Sequence, residues 1–181
     1  MPAPNNGSDA LVQNTVTLHI SLLIPHARAL NSSHETSLLF LETADFMATT
    51  FSLKTGVPIN PVRGDKNPRR SLRLEGTTVG GKSRGDLLWQ KEITYGRWME
   101  LDITVDFEKG WLGLVDARAK GKKGRSRANG GKWKNDASGR GQWHIGVFKY
   151  PVGEKDDVVH KGYQPSGLHE GVVYGGVFMT K

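Results

Sequence analysis

Apolar and polar residues alternate along several short stretches of the chain, with the two-residue period of a strand. From Trp98 to Phe107, Met99, Leu101, Ile103, Val105 and Phe107 fall on one face. Trp98, Glu100, Asp102, Thr104 and Asp106 fall on the other. Near the start, Val16, Leu18, Ile20 and Leu22 oppose Thr15, Thr17, His19 and Ser21, and Pro25 ends the run. Gln142 to Pro151 repeats the pattern. Trp143, Ile145 and Val147 share one face; His144, Gly146, Phe148 and Tyr150 share the other. A glycine inside a strand marks a bulge or a close approach to the backbone. That second face reads either as the polar rim of a half-buried strand or as the floor of a ligand groove.

Further strands are predicted at Thr49–Lys54, Ser71–Glu75, Leu87–Gln90 and Val172–Met179. Trp111–Val115 returns from a turn at Glu108-Lys109-Gly110, which makes a hairpin. The apolar run Leu38–Leu41 fits a buried strand or a helical turn equally well. Residues 152–171 read as polar loop, and residues 1–13 as a flexible N-terminal segment. Residues 14–181 then form a single domain. Short strands, Gly/Pro turns and almost no helical periodicity predict an all-β fold, an antiparallel two-sheet sandwich or jelly roll.

Charge adds a partner class. The net charge is +7, and no acid interrupts the bases between Arg118 and Lys134. Arg63, Lys66, Arg69 and Arg70 form a second cluster. Such a balance favours polyanions, either an acidic polysaccharide or a nucleic acid, though no nucleic-acid recognition motif is present. The absence of Cys excludes disulfides and thiolate catalysis. No apolar run approaches the roughly 20 residues of a membrane helix, so no membrane partner is expected. Met1–Ser8 has no signal-peptide pattern; secretion would require a leader outside this sequence, and the cytoplasm is otherwise expected.

Candidate chemistry narrows from there. The six histidines form no HxH or HExxH pair, and no metal or other cofactor is expected. No GxSxG elbow occurs, and Gly80-Gly81-Lys82-Ser83 reads as a turn. Glu100 and Asp102, about 7 Å apart on one strand face, lie near the separation of a glycosidase carboxylate pair; solvated edge charges are the alternative. β-Elimination on a uronic-acid polymer needs a group that offsets the substrate carboxylate, a base and a proton donor. His, Tyr and Arg on exposed strand faces supply those types.

The strand order and the segments Leu88-Trp89-Gln90, Tyr95–Phe107, Gly110–Leu114, Trp143–Tyr150 and Tyr174–Val177 resemble the concanavalin A-like jelly roll of polysaccharide lyases. The nearest types are glucuronan lyase (polysaccharide lyase family 20) and heparin lyase I. The resemblance implies a groove for an acidic polysaccharide and a metal-independent lyase, and a monomer is expected. The Lys-x-Gly-x-Tyr strand of such lyases falls on His144, Gly146 and Phe148, so the usual Tyr is Phe here and Tyr150 lies one step further. Tyr150 is then the expected proton donor, or base and donor together, helped by His144 or His19. Arg73 or Gln90 would offset the substrate carboxylate. Lys149 would hold the polyanion, and Trp89, Trp98 and Trp133 would stack on sugars. A lectin-like glycan binder shares the architecture and is the alternative, with nucleic-acid binding through the basic loop a further one.

Overall fold

The computed structural model describes residues 9–61, 63–82, 84–117, 130–153 and 158–181. Among these residues, ten strands make two antiparallel five-stranded sheets. In chain order they are β1 (Thr15–Leu23), β2 (Thr36–Thr43), β3 (Thr49–Thr55), β4 (Ser71–Glu75) and β5 (Leu87–Glu92). Then come β6 (Met99–Asp106), β7 (Trp111–Asp116), β8 (Gly130–Lys134), β9 (Arg140–Lys149) and β10 (Val173–Thr180). The first sheet runs β10-β1-β6-β7-β8 and the second β5-β4-β3-β2-β9. The fold is the two-sheet jelly-roll sandwich that the alternation predicts.

The alternating apolar faces meet between the sheets. Leu18 and Leu22 of β1, Leu101 and Ile103 of β6, and Leu112 of β7 face Leu39, Leu41, Phe51, Leu53, Leu72 and Leu74. All are buried. Burying side chains of this size stabilises the fold by about 1.5–3 kcal/mol each.

Three differences from the sequence expectation have local causes. Leu38–Leu41 is strand, and its unbroken apolar run reflects a bulge. The β2–β9 register steps from Ser37↔Phe148 to Leu39↔Ile145, two residues against three. Leu38 and Leu39 are therefore both buried, while Phe40 and Glu42 face outward with Ser37. The Tyr174 hydroxyl, from the edge of the first sheet, lies 3.0 Å from Leu38 O and 2.9 Å from Gly146 O. It satisfies carbonyls at the break in the ladder. Secondly, a turn precedes β1 and one of its residues reaches the core. Asp9 caps the turn Ala10–Val12 through Leu11 N, and Val12 is buried in the core. Thirdly, a one-turn helix, α1 (Val158–Lys161), interrupts the stretch expected to be loop. The basic residues at 118–129 lie outside the described residues.

Candidate functional site

Outward positions of the second sheet carry the polar residues that bear chemistry. Cross-strand pairing sets them in rows: His144, Phe40, Ser52 and Glu75 lie side by side across β9, β2, β3 and β4. Phe148, Ser37, Lys54, Arg73 and Gln90 form the next row, running into β5. The segments around Asp65, Ile59 and Arg84 bond to this face, so several of its charges are buried. Arg73 is 0% exposed, Glu75 1% and Glu35 3%.

Buried charges need partners, and these have them. Glu35, just before β2, accepts from Arg84 Nη2 at 2.6 Å and from Ile59 N at 3.0 Å. The same Nη2 donates to Glu75 Oε1. Lys54 Nζ lies 3.3 Å from Glu35 Oε1 and 3.7 Å from Glu75 Oε2. Two carboxylates thus converge on one guanidinium nitrogen and one ammonium. Arg73 is paired through Nε and Nη1, with Asp65 at 3.1 Å, Glu75 at 3.2 Å and the Gly56 carbonyl at 2.9 Å, while its Nη2 is buried with no hydrogen-bond partner among the described residues. Glu75 Oε2 is buried with no hydrogen-bond partner among the described residues.

An open cleft of about 490 Å³ runs along this face, lined among others by Glu35, Glu42, Phe46, Lys54, Arg84 and Tyr150. Near its Glu42 end, His144 Nε2 lies 3.1 Å from Glu42 Oε2. The His144 ring stacks on Phe40 at 4.4 Å, and Phe148 meets Phe40 edge-on at 5.0 Å. At the Glu35 end, Tyr150 N bonds Glu35 O at 2.9 Å, and Lys54 Nζ sits 5.5 Å from the centre of the Tyr150 ring.

The electrostatics follow from this crowding. Burial pushes the Glu35 carboxyl up, but Lys54, Arg84 and the Ile59 amide outweigh it and hold it below its ordinary value of 4.5. Glu35 is ionised at neutral pH. Burial draws the Arg84 guanidinium down, and its bonds and charges with Glu35 and Glu75 more than reverse that. Tyr150 is raised by burial first, then by the Glu35 and Glu75 charges, against a lowering from Arg84. Its phenol keeps its proton, which suits a donor and opposes a base.

The structure brings together some of the sequence candidates and separates others. Tyr150, His144, Gln90 and Arg73 share the outer face of the second sheet. Arg73, however, has no free charge to offer a substrate, being fully buried and paired. His19 lies on the outer face of the other sheet, bonded to Asp102 at 2.7 Å and stacked on Phe178, so the core separates it from Tyr150. Glu100 and Asp102 share that remote face. Trp89 points inward, 5% exposed, with no ring face for a sugar. Trp98 packs beside Gly175 at the edge of the first sheet, and Trp133 packs on the core from β8. Lys149 is held by Glu170 at 2.5 Å.

Glu35, Glu42, Glu75, Lys54 and Arg84 carry no motif and were not singled out by sequence reasoning. A signal was present for two of them: Glu42 and Glu75 alternate with Leu41 and Leu74, which places them outward on strands.

The family model for the glycoside hydrolase 131 catalytic N-terminal domain matches residues 1–181. The chain is similar in fold to the catalytic domain of a GH131 β-glucanase from Podospora anserina, with TM-score 0.63 at 20% identity. The match covers 96% of this chain and 61% of that one. A GH131 catalytic domain from Coprinopsis cinerea gives TM-score 0.61 at 17% identity, over 96% and 59% of the two chains. The chain thus spans about three fifths of the length of these structures. An alginate lyase from Pseudomonas aeruginosa gives 0.53 at 12% identity, over 93% and 65%. No curated protein sequence matches the chain.

Proposed function

The chain belongs to the glycoside hydrolase 131 catalytic N-terminal domain family, and we propose that it hydrolyses a neutral β-linked glucan on the outer face of its second sheet. The observation that carries this reading is the convergence of Glu35 and Glu75 on Arg84 Nη2 at the cleft. Glycoside hydrolysis uses two carboxyl groups flanking the scissile bond, one taking and one giving a proton or one attacking the sugar. Glu35 is the ionised member, suited to activating water. Glu75 is the second carboxyl, buried behind Arg84 and Lys54, with no hydrogen bond to its Oε2 among the described residues. His144, held beside Glu42, and Tyr150, with its proton retained, are positioned to bond sugar hydroxyls. The GH131 structure from Podospora anserina is described as a β-glucanase, which supports the choice of glucan.

Elimination on a uronic-acid polymer, the other polysaccharide-cleaving chemistry of this fold, fits the cleft less well. Lys54 and Arg84, which both face Glu35 and Glu75, would have to leave those partners to offset a substrate carboxylate. Elimination with Tyr150 as both base and donor also runs against its raised value, which suits a donor alone.

The test is a variant series assayed for reducing ends released from soluble β-glucan. Glu75→Gln and Glu35→Gln are each expected to lose at least about a hundredfold in rate, in line with general acid–base catalysis. Tyr150→Phe, removing one hydroxyl, is expected to lose about tenfold or less. Full activity in both carboxyl variants would rule the assignment out.

A further inference from the structure

The turn between β2 and β3 holds an aromatic residue in a backbone conformation it does not favour. Phe46 has φ 60°, the left-handed region. That region disfavours bulky side chains and is entered mostly by Gly, Asn and Asp. The turn is nevertheless heavily tied. Thr43 Oγ1 donates toward Asp45 Oδ1 at 2.6 Å and lies 3.0 Å from Ala48 O and Ala48 N. Asp45 Oδ1 also accepts from Met47 N at 3.1 Å, and Phe46 N bonds Thr43 O at 2.9 Å. Ala44 N adds a bond to Gly139 O at 2.9 Å, which anchors the turn to the segment before β9.

Folding gains little from this placement. The Phe46 side chain is 47% exposed and Met47 beside it 83%. A turn that needed only to close would be served better by glycine. Both side chains line the same cleft as Glu42 and Glu35. An exposed apolar ring on a rigid turn, at the wall of a cleft that carries acids, fits the C–H face of a pyranose.

We infer that Phe46, with Met47 beside it, is a sugar-binding platform that stacks on a glucan residue beyond the acids. The inference rests on the proposed function for the identity of the ligand. It makes Phe46 a determinant of chain binding rather than of bond cleavage. The ring touches a sugar remote from the reacting bond, so its loss should raise KM on long chains and leave kcat nearly unchanged.

The experiment measures affinity for a soluble neutral β-glucan hexasaccharide by titration calorimetry, in the Glu75→Gln background so that the sugar survives. Melting temperature is read on the same samples. Phe46→Gly and Phe46→Asn both suit φ 60° and both remove the ring. Each is expected to bind about tenfold more weakly, equivalent to 1.4 kcal/mol, with a melting temperature equal to the parent or higher. Phe46→Trp restores a ring and is expected to bind within about twofold of the parent. Unchanged affinity in the Gly and Asn variants would overturn the inference. A fall in melting temperature that accompanies the affinity loss in both would assign Phe46 to the fold instead. The two readings fail separately. A chain that cleaves glucan but ignores Phe46 substitutions loses only the platform. A chain that binds through Phe46 but never cleaves loses only the hydrolase. A chain that binds no glucan overturns both.

Discussion

Glu35 shows how burial and partners divide the work at a single residue. Its carboxylate is almost fully withdrawn from water, which alone would favour the neutral form. Lys54, Arg84 and the Ile59 amide reverse that and hold its value below 4.5. The consequence for stability has a definite sign. A depressed folded-state value means the contribution is fully present above the unfolded value and is lost as pH falls through the folded one. Glu35→Gln should therefore be less stable than the parent at pH 7. The gap should narrow as pH drops below the ordinary value of 4.5 and close below the lowered folded one. Urea midpoints of parent and variant from pH 7 down to pH 3 check this, and a gap that does not narrow as pH falls would contradict it.

At the level of elements, the site depends on backbone geometry between strands. Gly56 follows β3 with φ 78°, and a Cβ there would lie 1.8 Å from His34 O, directly before Glu35. Its own carbonyl accepts from Arg73. Gly56→Ala must move the chain that carries Glu35 or leave φ strained. A loss of about 2 kcal/mol or more is expected, together with lower activity, read from chemical denaturation and the reducing-end assay. The strands themselves were legible because one face of each is buried, as at Met99–Phe107, where alternation is strict. The β2 bulge was not legible, since Leu38 and Leu39 look alike whichever way they point. The site was legible only in part. Tyr150 and His144 sit on an alternating strand and could be placed on a face. Glu35 and Arg84 lie outside strands, and only the folded chain brings them within 2.6 Å of each other. His19 joined His144 as a candidate because sequence shows which face is outward but not which sheet it belongs to.

For the whole molecule, the positive charge and the cleft are separate matters. The chain carries +7 overall, yet Lys54 and Arg84 in the cleft are committed to Glu35 and Glu75. Lys132 and Lys134 lie on the other sheet, 5.1 and 4.8 Å from the Trp111 ring centre. Glucan binding in the cleft should accordingly change little between 50 and 500 mM salt, since a neutral sugar releases no counterions. A steep fall in affinity would place a polyanion there instead. The most direct test of the account is the chemistry of the product. The chain is incubated separately with neutral β-glucan and with glucuronan, alginate and a heparin-like chain, following reducing ends and absorbance near 235 nm, the approximate band of the unsaturated uronide that elimination makes. The account predicts reducing ends from the neutral glucan and no absorbance rise with any uronic-acid polymer. A rise at 235 nm with a uronic-acid polymer, and no reducing ends from the glucan, would contradict it.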